Sequence, residues 1–413
     1  MSRPIAVLLL AAATIAPAQT LSLEDVVARA IAHSPDLRAL EGAVAEARAN
    51  AALGDAFRPA ASIGATPGYA TGLPTAVLGQ VPAIGTVEAH RLLYDASTRA
   101  EQIETVSQVD AAVARLESRK REVAQSAADL YARVAADAGL VGSAKRRVTA
   151  YETIAARTEA LRREGRARDL DLHRAALQVS SANRTALQAK TRLDLDQLRL
   201  RHMLGEMLNV TPTAANAALP FPAGSMAQAE ANDPELRSLV SRIEAFRNAL
   251  GLRERLFQPS IAAQVQYLRL FDRFRRYYLN FKPDDFSVGA TVTVPMWTSG
   301  RRAAASARLT AQLEQLTAQR DARRSEIELA LREAEADVIQ AVAEDELAAR
   351  ARSVAAESVR LAEELEREGR GEANDVPLAQ IALADADDDV ANASAHLVTA
   401  RARLLVVLGE LPR

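Results

Sequence analysis

The sequence predicts a mostly helical chain, written twice over, with two short β-hairpins whose strands fit a transmembrane barrel. Three observations carry that prediction. Two long stretches, 98–164 and 301–368, contain no Pro and only Gly139 and Gly142. Segments of the first half recur in order in the second. A run near residue 290 alternates apolar with small or polar residues, the period of a strand with two unlike faces.

The chain opens with Arg3, an apolar run from Ile5 to Ala16, and Ala16-Pro17-Ala18 as an A-x-A cleavage site. That is the pattern of a secretory signal peptide, expected over 1–18. The run is too short for a transmembrane helix, which needs about 20 residues. No later window offers an apolar stretch of that length, so a membrane-spanning reading requires strands. The chain has no Cys, which removes disulfides, thiolate metal ligands and Cys nucleophiles. Lys and Arg number 51 against 53 Asp and Glu, so there is no basic field for nucleic acid. Aromatic residues are only 4%, leaving Ala, Leu and Val to supply the apolar surface of closely packed helices.

The internal repeat has five anchors. Ser34–Leu40 (SPDLRAL) recurs as Asp233–Leu239 (DPELRSL), and Phe57-Arg58-Pro59 as Phe257-Gln258-Pro259. Leu93-Tyr94-Asp95 recurs as Met296-Trp297-Thr298, Leu161–Arg166 (LRREGR) as Leu365–Arg370 (LEREGR), and Leu204-Gly205-Glu206 as Leu408-Gly409-Glu410. All five stand at offsets of about 199 to 204 residues, which divides the chain into repeat one, 19–210, a Pro-bearing linker, 211–232, and repeat two, 233–413.

Each repeat reads as helix, hairpin, long helix, return helix. The first helix is expected from Ser22 to Leu53, with Ser22 as N-cap and Glu24 and Asp25 in the first turn, where negative charge suits the dipole. Its counterpart is Pro234 to Leu256. The hairpins fall at about 59–97 and 259–297. The clearest strand is Phe286–Trp297, where Phe286, Val288, Ala290, Val292, Val294 and Met296 alternate with smaller or polar neighbours. Lipid on one face and water on the other would select that pattern; the edge of a soluble sandwich would look similar.

The long helices, about 98–164 and 301–368, would each span about 100 Å at 1.5 Å per residue. Val106, Val109, Val113, Leu116, Val123, Ala127, Leu130 and Val134 keep a 3,4 spacing with a break at Lys120, and Leu309, Leu313, Leu316, Ile327, Leu331, Ala334 and Val338 form a second seam. Such seams pack as coiled coils. Each helix ends at a Gly, Gly165 or Gly369, suited to the left-handed C-cap. Return helices follow at about 170–204 and 378–408.

Together these features resemble the TolC-type outer-membrane efflux protein family, the outer-membrane factors. The motif behind the resemblance is a turn Gly followed six residues on by Asp: Gly165…Leu170-Asp171-Leu172 and Gly369…Asn374-Asp375-Val376. The resemblance implies a homotrimer with a 12-stranded transmembrane β-barrel continued by a 12-helix periplasmic α-barrel. It implies a passive export duct, not an enzyme, in the outer membrane and periplasm, with no cofactor. Its partners would be a periplasmic membrane-fusion adaptor, an inner-membrane pump and outer-membrane lipid, in a tripartite efflux or type I secretion system. The turns at Gly165 and Gly369 would form the periplasmic tip. By the family's arrangement Asp375 and Asp389 would line the narrow entrance, and Asp171 would pair with Arg168 or Arg370 to hold it shut. Where some members carry a further Asp, this chain has Leu378. A periplasmic coiled-coil adaptor or scaffold without a barrel is the alternative reading.

Catalytic and metal signatures are missing from the sequence. There is no GxxxxGK[ST], GxGxxG or HExxH, and the five His never fall at ligand spacing. The run Asp385, Asp387, Asp388, Asp389 would need Gly and Glu for a calcium loop where Val390 and His396 stand, so it reads as a solvated helix face. Arg269, Arg273, Arg275 and Arg276 among aromatic residues suit either an extracellular loop facing lipopolysaccharide or a plain solvated loop.

Overall fold

A computed structural model describes residues 21–53, 55, 57–66, 84–205, 224–253, 259–270, 284–295 and 300–410. The expected signal peptide, the expected linker up to 223, residues 67–83 and 271–283 of the expected hairpins, and Met296–Trp297 lie outside the described residues. The elements run α1 (Leu23–His33), α2 (Pro35–Leu53), β1 (Ala60–Thr66), β2 (Ile84–Asp95), α3 (Ala96–Arg163), α4 (Asp169–Leu204), α5 (Met226–Asn232), α6 (Pro234–Arg253), β3 (Ser260–Leu270), β4 (Asp284–Thr293), α7 (Arg301–Arg367) and α8 (Asp375–Leu408).

Three local outcomes depart from the sequence reading. The helix expected from Ser22 to Leu53 breaks at Ser34, which is extended (φ −60, ψ 119) because the ring of Pro35 disfavours helical backbone in the residue before it. The short helix Met226–Asn232 lies in the stretch read as linker, started by the Ser225 side chain, which accepts the N–H of Gln228. The second return helix begins at Asp375, three residues earlier than expected, because Pro377 sits in the first turn, where its missing N–H would have had no partner in any case.

The chain divides into two compact units. The first comprises 1–38, 118–233 and 326–413. Its core joins α1 (Val26, Val27, Ala30) to α3 (Ala127, Leu130, Val134), α4 (Leu200, Leu204) and α8 (Val398, Ala402). Ser22 caps α1 with a full capping box, its hydroxyl taking the Asp25 N–H and the Asp25 carboxylate taking the Ser22 N–H. Tyr131, buried in this core, keeps its hydroxyl satisfied by donating to the Leu21 carbonyl at 3.2 Å.

The second unit comprises 39–117 and 234–325. Here Leu239, Ile243, Phe246 and Ala249 of α6 pack on Ala100 of α3 and on Leu309 and Leu316 of α7. Ion pairs Arg253–Glu101 at 3.1 Å and Arg308–Glu104 at 2.7 Å flank that seam. The α7 seam is buried along the whole predicted line from Leu309 to Val338, with Leu313 partly covered. The α3 seam is less complete: Val106 is exposed.

The strands form one antiparallel sheet in the order β1-β2-β3-β4. Residues of the two halves meet at β2–β3, where Val87 pairs with Tyr267 and Ala89 with Val265, with a bulge between Leu92 and Tyr94. No helix among the described residues is long and apolar enough to cross a membrane.

Candidate functional site

Two features carry functional weight, the sheet in the second unit and the two helix–turn–helix ends in the first. The register sorts the sheet's side chains by face. Ile63, Val87, Tyr267 and Phe286 stand directly opposite one another across all four strands, and so do Ala61, Ala89, Val265 and Val288. The alternate rows are polar: Ser62, Glu88, Gln266 and Ser287 in one, Ala60, His90, Gln264 and Gly289 in another. Gln266 donates to Glu88 at 2.7 Å within the polar face. Both faces are open in the single chain: Ile63, Phe286 and Val288 are exposed, and every residue of β4 is exposed. Neither β1 nor β4 has a second strand partner among the described residues. An exposed apolar row with open edges on both sides is a surface water would not tolerate.

The strands feed straight into helix. Asp95, the last residue of β2, accepts the N–H groups of Ser97 and Thr98 at 2.8 and 3.1 Å and caps α3 without an intervening loop.

The helical turns share one backbone design. Gly165 and Gly369 adopt φ 75 and 70, in the left-handed region. Around each, two hydrogen bonds close the helix end: Gly165 N–H to the Arg162 carbonyl and Arg166 N–H to that of Leu161, then Gly369 to Glu366 and Arg370 to Leu365. Gly205 and Gly409 end the return helices with φ 71 and 73.

Charged groups crowd the first turn. Arg162 and, second to it, Arg163 hold the Glu159 carboxyl down at about 2, and Arg162 also reaches Asp169 at 3.3 Å. Asp171 is bonded by Arg168 at 3.2 Å, with Arg174 at 3.8 Å, and the Arg168 side chain and backbone N–H lower its pKa. Arg370, the other residue considered as its partner, pairs with Glu368 at 3.3 Å instead. Asp375 is half-buried and accepts the Glu372 N–H at 2.8 Å. Asp389 is exposed on α8.

The acidic run on α8 is only in part the solvated face expected: Asp385 and Asp389 are exposed, while Asp387 and Asp388 are largely covered by arginines. Arg147 of α3 bonds Asp385 and Asp388 at 2.7 and 2.5 Å, Arg146 bonds Asp387 at 2.5 Å, and Arg352 of α7 reaches Asp387 at 2.6 Å. Ser143 donates to Asp388 as well. Arg157 of α3 spans to Glu366 at 2.8 Å and to the Ala373 carbonyl, tying α3 to the second turn. His396 is likewise engaged, with Nδ1 2.8 Å from Glu344 and Nε2 3.1 Å from Asp337, contacts that composition and spacing give no hint of.

Residues 226–410 match the family model for outer membrane efflux proteins. That match takes in α5 to α8 with β3 and β4, a little under half of the chain. A search of curated proteins finds no match. Among solved structures, the chain is similar to CusC, crystallised in a study of transmembrane channel formation, at TM-score 0.78 and 15% identity over 95% of this chain and 93% of that one. It is similar to the outer membrane protein VceC of Vibrio cholerae at TM-score 0.73 and 16% identity over 94% and 96%. It is similar to the open MtrE outer membrane channel of Neisseria gonorrhoeae at TM-score 0.70 and 15% identity over 95% and 90%. At such identities the likeness is one of fold. Outer membrane efflux proteins are channels, not enzymes.

Proposed function

We propose that the chain is one subunit of a homotrimeric efflux channel, a passive duct through the outer membrane that extends into the periplasm. The observation that carries this reading is the four-stranded sheet with an apolar face, a polar face and two open edges. Three copies joined β4 to β1 would close twelve strands, leaving no edge for hydrocarbon to meet, with apolar rows toward lipid and polar rows toward water. The hairpins come one from each repeat, at 59–97 and 259–297, so each repeat supplies half of the subunit's share.

On this reading the turns at Gly165 and Gly369 are the periplasmic tip, where a membrane-fusion adaptor docks and passes cargo from an inner-membrane pump. Asp375 and Asp389 face the entrance, and Asp171 with Arg168 restrains it. The test is fractionation of the full chain and of a variant lacking Pro259–Trp297. The full chain should enter the outer membrane as heat-modifiable trimers, and the deletion should remove insertion while leaving helix. A soluble periplasmic full chain would favour a coiled-coil scaffold, and an inserted trimer without that segment would overturn the barrel.

A further inference from the structure

In the first unit a groove of about 840 Å³ opens between α3, α4 and α8, within the range of roughly 300 to 1,000 Å³ usual for small-molecule sites. Asp137 of α3 lines it. This carboxylate is only 3% exposed, yet its Oδ2 has no hydrogen-bond partner among the described residues. Burial, and after it the charge of nearby Asp196, push its pKa up, with Arg192 and Arg133 acting against them. The neighbouring carboxylate is differently placed: Asp196, 4% exposed, already holds Arg199 at 2.6 Å. His396 borders the groove too, but both its ring nitrogens are taken by Glu344 and Asp337. Above the acid the wall is apolar: Leu187 and Leu195 of α4 are both exposed, and Ala136 and Ala395 stand beside them.

A buried acceptor with no donor is a vacancy for one kind of group, since buried polar atoms in folded proteins are nearly always bonded. The best complement to a carboxylate is a donor of opposite charge, because charge-assisted hydrogen bonds are the strong ones. A metal ion does not fit, as no three His, Asp or Glu among the described residues are grouped to hold one. An anion would leave Asp137 unanswered. The leucines ask for an apolar body.

We propose that this groove is a binding site for a small organic ammonium, whose N–H donates to Asp137 Oδ2 while its apolar part lies over Leu187 and Leu195. Arg133 and Arg192 border the same groove, so a ligand with a carbonyl or carboxylate near the ammonium binds better than a bare amine. The site is in the helical unit, apart from the sheet and the turns, and its occupancy is read directly, so its failure leaves the channel reading standing.

The experiment uses the purified full chain in detergent, with benzylammonium as probe and benzyltrimethylammonium and benzyl alcohol as comparisons. Binding is followed by saturation-transfer NMR and calorimetry. Benzylammonium should bind the unaltered protein at least tenfold more tightly than either comparison, since one lacks the N–H and the other the charge. Asp137→Asn should lose that preference. Leu187→Ser, an exposed change that leaves folding intact, should weaken benzylammonium at least threefold and serves if Asp137→Asn misfolds. Equal binding of the three probes, no binding, or full binding by Asp137→Asn would each overturn the site. Loss of subunit association in Asp137→Asn without any probe binding to the unaltered protein would assign the carboxylate to contacts between copies instead.

Discussion

Gly139 of α3 lies so close to Ala391 of α8 that a Cβ built on it would stand 3.2 Å from the alanine's Cβ. The gap is tighter than ordinary contact, so one methyl group is near the limit the two helices accept. Gly139→Ala gains about 1 kcal/mol of helix propensity and loses a similar amount to crowding, and thermal unfolding should move little. Gly139→Ile should destabilise by about 1–3 kcal/mol through overpacking. An isoleucine variant as stable as the parent would show that α3 and α8 are free to separate there.

The turn glycines make a conformational prediction free of packing. A Cβ on Gly165 or Gly369 would meet nothing within 4 Å, so only the positive φ penalises a side chain. Val at either site should cost about 1–2 kcal/mol, while Asn, which visits this region more readily, should cost less. On the channel reading Gly165→Val and Gly369→Val lose export and adaptor binding but keep trimers. Normal export in both would place the tip elsewhere.

Arg147 and Asp388 join α3 to α8 with side chains that are mostly buried. Asp388→Ala leaves Arg147 with only the more exposed Asp385 as partner and should cost about 1–2 kcal/mol, whereas Arg147→Leu with Asp388→Leu should recover most of the loss, because replacing a buried pair by apolar groups is often neutral. Chemical denaturation of the two variants decides. A double variant no better than the single would mean that the Arg146 and Arg352 contacts to Asp387 carry the junction.

His396 makes stability depend on pH. Its bond to Glu344 first, then Asp337, raises its pKa above the ordinary 6.5 despite opposing burial. A raised folded value means that the contribution is complete below 6.5 and is lost as pH climbs through the folded value. The ring is partly exposed, so the effect should stay under about 1 kcal/mol. The stability gap between the parent and His396→Gln should therefore be larger at pH 6 than at pH 8.5; a constant gap would remove the charged imidazole.

How far these features could be read in the chain depends on their range. The left-handed turns at Gly165 and Gly369 and the two-faced strand at Phe286 are local, set by a missing Cβ or a period of two, and they stand out from residue types alone. The break at Ser34 is local too, written in Pro35, but the strong capping signal at Ser22 and the unbroken Ala-rich run behind it point to one helix. The pairing of Arg146 and Arg147 with Asp385, Asp387 and Asp388 joins residues roughly 240 positions apart. Helix period says that each patch is charged but not which patch it meets, so an acidic run that is mostly paired looks solvated. Asp137 is hidden for the same reason: its burial comes from α4 and α8.

The last prediction concerns the entrance and rests on the channel reading. Trimer symmetry would set three copies of Asp375 around one axis, with Asp389 two heptads further along nearly the same face of α8. Three carboxylates in a confined pore attract cations and repel anions, as acidic rings do in cation channels. Asp375 spends one oxygen on the Glu372 N–H, an arrangement that orients the carboxylate without neutralising it. Asp171 differs in having a guanidinium partner: Arg168 holds it 3.2 Å away at the start of α4. Removing Asp375's charge should thus alter what the pore admits, and removing Asp171 should loosen the turn. In planar bilayers Asp375→Asn should lower cation selectivity at unchanged resting conductance, and Asp171→Ala should raise the resting conductance at unchanged selectivity. If neither quantity moves in either variant, both carboxylates act only as helix-start caps, favoured there by the dipole, and the constriction belongs to another layer of the helices.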